Sequence, residues 1–268
     1  MGLANAAQAA GDVPIIEARR VSKHFGHVNA LNDVNLRLAQ GEVLGVVGDN
    51  GAGKSTLMKI LAGVHPPSSG ELAIEGKAVH FRNPGDARRL GIEMVYQDLA
   101  LAGNMRIDEN IFLGRELTRR YGPITLVDHK ANQARAMEHL DNLRIRVKSV
   151  AQRVEDLSGG QRQAVAVARA TAFDAKVVIM DEPTAALAVK EVAKVLDLIK
   201  GLRERGIAVI LISHRLDDIF YVCDRVMALY HGRNFEEGPL GQIERNEVVG
   251  WIMGNRDGAG VESAVDHN

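Results

Sequence analysis

The apolar run Val43–Val47 breaks off into Gly48-Asp49-Asn50-Gly51-Ala52-Gly53-Lys54-Ser55, and few folds accommodate that junction. The octet fits G-x-x-x-x-G-K-[ST], with Thr56 following. Its glycines let successive backbone N–H groups turn inward around phosphate oxygens. Lys54–Leu61 has helical character until Gly63 and Pro66-Pro67 interrupt it, and the positive end of that helix points at the same anion. In such a loop the lysine, Lys54, reaches β- and γ-phosphates, and the hydroxyl of Ser55 is offered to Mg²⁺. A glycine-rich turn that binds nothing is the plain alternative. An apolar strand before the motif and a helix after it are the context that phosphate binding requires.

Around this junction the pattern is that of an α/β chain. Ile15–Leu38 alternates apolar and polar residues in short stretches with His-Val-Asn between them, which predicts antiparallel strands. Glu71–His80 reads as a hairpin about Glu75-Gly76-Lys77, and Ile92–Tyr96 as a strand. From about residue 98 to 156 strand-like runs are sparse and Ala131–Leu143 has helical spacing, which predicts a helical insert. Beyond it helices are predicted at Arg162–Ala172, Val189–Arg203 and Leu216–Val222. They alternate with buried strands at Val177–Met180, Ile207–Ile212 and Arg225–Tyr230. Such alternation implies parallel strands with crossover helices. Residues 14–254 form the expected domain, with flexible tails at 1–13 and 255–268.

The strand Val177–Met180 runs into two carboxylates, Asp181 and Glu182. A strand buried on both faces needs no charge at its tip, whereas ligands of parallel sheets bind at the strands' carboxyl ends. Asp181 is the candidate Mg²⁺ ligand, and Glu182 the residue that orients and polarises an attacking water. A helix N-terminal charge preference would explain one of them at most.

With net charge −1 and only short basic pairs, no field for a polyanion is built, so nucleic acid is not the expected partner. The single cysteine, Cys223, cannot pair within the chain, which fits a reducing, cytosolic setting. No apolar run approaches the ~20 residues of a membrane span. Any passage through a membrane must therefore belong to another protein.

The stretch Leu157-Ser158-Gly159-Gly160-Gln161-Arg162-Gln163, taken with the phosphate loop and the carboxylate pair, resembles the signature of ATP-binding-cassette (ABC) ATPases. The resemblance runs from about Ile15 to Gly238 with the motifs in family order. It implies a P-loop core with an antiparallel β subdomain and an inserted α-helical subdomain. It also implies ATP and Mg²⁺ as cofactors, bound by Gly48, Asp49, Asn50, Gly51, Ala52, Gly53, Lys54, Ser55 and Thr56. Ser158, Gly159, Gly160 and Gln161 would bind the γ-phosphate of an ATP held by a partner subunit, so each site would be completed by a second copy. Phe25 occupies the place of an adenine-stacking aromatic. Gln97 matches the glutamine that senses Mg²⁺ and γ-phosphate, and His214 the switch histidine that contacts the γ-phosphate. Catalysis would fall to Glu182, His214 and Gln97, and metal binding to Ser55, Gln97 and Asp181.

One departure stands out. Where the family usually has Ser-Ala-Leu-Asp, this chain has Ala185-Ala186-Leu187-Ala188, so the usual aspartate is missing. Branches serving monosaccharide importers often lack it. The segments Val95–Leu101, Glu109–Glu116 and Ile212–Phe220 are also similar to ribose-, xylose- and fructose-type ATPases. That likeness implies a homodimer at the cytoplasmic face of the bacterial inner membrane. It also implies integral-membrane permease subunits and, indirectly, an external solute-binding protein. The alternatives are the ATPase of an exporter or lipoprotein-release system, a soluble ABC ATPase acting on DNA or ribosomes, and a nucleotide-dependent scaffold with weak turnover.

Overall fold

The computed structural model describes residues 13–255, so the two expected tails lie almost entirely outside the described residues. Strands β1 (Ile16–Phe25) and β2 (Val28–Leu38) pair antiparallel. The reversal falls at Gly26-His27 rather than at His-Val-Asn, because Gly26 supplies the left-handed backbone a tight hairpin needs. Val28 and Asn29 therefore belong to β2. Further along the chain β4 (Ser69–Ile74) and β5 (Lys77–Val79) extend this sheet in the order β2-β1-β4-β5.

The second sheet positions the site. Its order is β12-β11-β3-β10-β9-β6, with β3 at Val43–Val47, β6 at Ile92–Val95, β9 at Val177–Asp181, β10 at Ala208–Ile212 and β11 at Arg225–Tyr230. These five are parallel, and β12 (Arg233–Pro239) closes one edge antiparallel. Continuous apolar runs form the central strands because successive residues serve two different cores. Leu44 and Val46 join Ile210, Ile179 and Leu57 under the antiparallel sheet. Val43 and Val47 join Leu211, Met180 and Ile219 on the other side. Helix α1 (Lys54–Leu61) packs in the first core, while α6 (Val189–Glu204), α7 (Leu216–Val222) and α8 (Arg245–Ile252) pack in the second.

The insert is less purely helical than its sequence suggests. Between α3 (Ile107–Phe112) and α4 (His129–Asn142) it carries a hairpin, β7 (Thr118–Tyr121) and β8 (Ile124–Val127). Ile124, Leu126 and Val127 are all exposed, so no core-facing alternation advertises these strands. Short helix α2 (Pro84–Arg89) is likewise unmarked by apolar periodicity, with Ala87 its one buried residue. Helix α5 (Gly159–Thr171) ties the insert to the sheet. The Arg169 guanidinium donates to the carbonyls of Ala100 at 2.6 Å and Leu99 at 2.9 Å.

Candidate active site

The phosphate loop sits between β3 and α1 and is built for close approach. At Gly48 (φ +147°) a Cβ would lie 2.3 Å from the Leu229 carbonyl oxygen. At Gly53 (φ +103°) it would meet the Leu31 side chain at 2.7 Å and the Ala30 carbonyl at 2.8 Å. Neither position can hold a side chain, which explains two of the motif's glycines by packing as well as by backbone conformation. Asp49, Asn50, Gly51 and Ser55 are exposed, Thr56 is half-buried, and Ala52 and Lys54 are buried. Lys54 Nζ donates to the carbonyls of Gly48 at 2.6 Å and Asp49 at 3.0 Å. Burial lowers its pKa, against the opposing charges of Glu182, Asp49 and Asp181.

Register brings the other candidates to the same edge. Ile212 pairs with both Val46 and Asp181, and Met180 with Val95, so the carboxyl ends of β3, β10, β9 and β6 lie side by side. The residues that follow them are the phosphate loop, His214, Glu182 and exposed Gln97. His214 Nε2 is 2.5 Å from Glu182 Oε1. Glu182 is a non-glycine residue in the left-handed region (φ +52°), at a cost on the order of 1 kcal/mol. Its N–H continues the sheet ladder by donating to Ile212 O at 3.0 Å. Burial raises the Asp181 pKa and the charge of Glu182 adds to the effect, while Lys59, Lys54 and His214 oppose it.

Phe25 ends β1 with 44% of its surface exposed, so it is not a core residue. Its ring stands edge-on to His65 at 5.5 Å between centroids, with Lys23 Nζ 5.1 Å from its centre. Leu31, which abuts Gly53, pairs with Lys23 two residues before Phe25, so the ring lies on the strand pair flanking the phosphate loop.

Ser158 caps α5. It accepts from the Gln161 N–H at 3.3 Å while its own N–H donates to Gln161 Oε1 at 3.1 Å. Gly159 and Gly160 are packed against Leu187 and Glu191, and a Cβ on Gly160 would lie 2.9 Å from that of Glu191. The Ser158 hydroxyl holds the Glu191 carboxyl below the usual carboxylate range, helped by the N–H groups of Gly160 and Ala188. The glycine pair is thus gathered onto Leu187 and the first turn of α6.

Among the described residues no group of three or more His, Cys, Asp or Glu could cage a metal. One carboxylate and one hydroxyl beside a phosphate loop suit Mg²⁺, which keeps waters and takes its remaining ligands from phosphates. Sequence reasoning passed over Thr184, Ser213 and Asp218, which are buried together behind Glu182 and His214. A Thr, a Ser and an Asp spread over three segments carry no spacing signal.

A parallel sheet whose carboxyl ends gather a phosphate loop, two carboxylates and a histidine defines a P-loop nucleotide-binding protein. The ABC transporter family model matches residues 31–185. The chain is 48% identical over 219 residues to the xylose/arabinose import ATP-binding protein of Sulfolobus acidocaldarius, covering 82% of this chain and 86% of that one. It is 49% identical over 218 residues to the fructose import ATP-binding protein of Rhizobium meliloti, covering 80% and 84%. A ribose import ATP-binding protein of Streptomyces coelicolor is 44% identical over 91% of this chain, which spans 48% of that longer protein. Among solved structures, a dimeric post-hydrolysis state of an ATP-binding cassette bound to ADP and Pi superposes with a TM-score of 0.70 at 27% identity. The superposition covers 84% of this chain and 98% of that one. The chain belongs to the ABC transporter ATP-binding family and is an ATPase with the P-loop ABC fold.

Proposed function

We propose that this ATPase energises an importer of a monosaccharide or a related small polyol, working as a homodimer on permease subunits at the cytoplasmic face of the inner membrane. The observation that carries the catalytic part is the His214–Glu182 contact beside the phosphate loop. Lys54 and the loop N–H groups hold the phosphates, and Phe25 stacks on the adenine. Ser55 and Asp181, with Gln97 beside them, are the residues to hold Mg²⁺, which when bound neutralises charge on the β- and γ-phosphates. Glu182 orients and polarises the attacking water, and His214 contacts the γ-phosphate while holding the Glu182 carboxylate in place. Ser158–Gln161 of a second copy completes each site, so ATP has higher affinity for the closed pair and shifts the equilibrium toward it. The dimeric cassette with ADP and Pi supports the pairing.

Cargo rests on kinship, because the cassette never touches the solute. The names of the relatives, which import xylose or arabinose, fructose and ribose, support a sugar. The test is to purify the ATPase with its membrane partner and reconstitute both. Turnover is then measured with an external binding protein, with and without pentoses and hexoses. Stimulation by a sugar-loaded binding protein is expected. Stimulation only by amino acids, metals or lipids, or the absence of a permease partner, would overturn the sugar assignment and leave the ATPase standing.

A further inference from the structure

Directly behind the His214–Glu182 pair lies a carboxylate with no place in the scheme above. Asp218 is 2% exposed, near the start of α7. Its Oδ2 accepts from the Thr184 hydroxyl at 2.5 Å and from the Ser213 hydroxyl at 3.4 Å, and its Oδ1 lies 3.6 Å from Arg215 Nε. Thr184 stands two residues after Glu182, and Ser213 immediately before His214. Ser213 Oγ also accepts from the Arg215 N–H at 3.0 Å, closing the turn that carries His214.

Burying a carboxylate is costly unless its oxygens are bonded, so a residue needed only to pack α7 would be apolar. Nor is helix-terminus charge a sufficient reason. The adjacent Asp217 already provides it from an exposed position, paired with Arg245. What Asp218 does that neither alternative requires is to join two separate loops through one oxygen.

We infer that Asp218, through Thr184 and Ser213, is a positioning residue that clamps the Glu182 turn to the His214 loop and so sets the contact between them. The inference rests on the proposal that Glu182 and His214 carry hydrolysis. Each loop leaves its strand separately, and the clamp adds a buried tie between them to the backbone bond from Glu182 N–H to Ile212 O. Reacting groups displaced by about 1 Å lose on the order of 100-fold in rate. A loosened clamp should therefore lower turnover and leave nucleotide affinity alone, because the phosphate loop belongs to a different strand and helix.

The test uses the full chain and reads kcat and KM for ATP, with the nucleotide-free melting temperature as a control. Thr184→Val, which keeps shape and removes the hydroxyl, should lower kcat roughly tenfold or more with KM within about twofold. Thr184→Ser should restore most of the loss. Asp218→Asn should reproduce the Thr184→Val phenotype. If that variant does not fold, the two Thr184 variants decide. Combined with His214→Ala, Thr184→Val should add no further loss, because the clamp acts through that pair. Turnover above half of wild type in Thr184→Val, KM rising in step with lost kcat, or full multiplication of the two defects would overturn the clamp. Wild-type turnover in His214→Ala alone would instead remove the site assignment on which the inference stands.

Discussion

His214 and Glu182 lie just past the ends of the hydrogen-bonded neighbouring strands β10 and β9, and their side chains meet at 2.5 Å. A carboxylate held this way has little rotational freedom, so its free oxygen is the one available to a water. Glu182→Gln keeps the size and loses the base. It should bind ATP and lose hydrolysis by ~10²–10⁴-fold. Size-exclusion chromatography should then show an ATP-bound dimer accumulating, whereas near-normal turnover would rule out the general-base role.

Phe25→Ala separates ligand contact from packing. Removing a base-stacking ring costs ~1–3 kcal/mol, or roughly tenfold to a hundredfold in affinity. Because Phe25 is 44% exposed, the melting temperature without nucleotide should move little. A titration with a fluorescent ATP analogue and a thermal melt together check both halves.

Ser158→Arg should leave monomeric ATP binding intact, because Lys54 and its loop lie elsewhere in the same chain. It should block ATP-driven dimerisation and turnover. Mixed with Lys54→Ala chains, it forms heterodimers in which one site lacks both elements and the other retains both. Partial recovery of activity in the mixture is the expected outcome. A Ser158→Arg chain that still dimerises with ATP would show that the sites are not shared.

Asp181 couples function to stability with a definite sign. Its folded pKa is raised above the ordinary 3.8, mainly by burial and then by Glu182. Stability from such a group is present below its ordinary value and is lost as pH rises through the raised one. At neutral pH the charged carboxylate therefore costs stability. Asp181→Asn should raise the urea midpoint of the nucleotide-free protein, by an amount that grows with pH from about 4 toward neutrality, while Mg²⁺-dependent turnover disappears.

Ala188 leaves α6 without a side-chain cap. Ala188→Asp should add one, stabilising the protein by ~0.5–2 kcal/mol in equilibrium unfolding. A null or negative change would show that an oxygen placed at position 188 gains no bond to the N–H groups of the first turn of α6.

The two-sided burial of β3, β9 and β10 made the parallel sheet legible, since unbroken apolar runs have few other uses. The phosphate loop was legible because its chemistry is local to eight consecutive residues. Phe25, Gln97 and His214 were not readable from residue type. Only family order singled them out, and strand register then set Gln97 and His214 at one edge. The β7–β8 hairpin escaped because exposed strands carry no burial pattern, and Asp218 because its partners lie 34 and 5 residues away.

The hold of Arg169 on the Leu99 and Ala100 carbonyls has a mechanical consequence. From Ser158 to Arg169 helix α5 is a rod of roughly 16 Å, at 1.5 Å per residue. One end carries the glycine pair, and the other is bolted to the segment that follows Gln97. His139 adds a second bolt, with its Nε2 2.9 Å from the Ala168 carbonyl oxygen and 3.1 Å from Thr171 Oγ1. A rod pinned this way transmits travel without bending. A shift of the chain just past Gln97 would therefore be delivered at Ser158, and under the function proposed above a γ-phosphate in a subunit's own site would then set the reach of the loop offered to its neighbour.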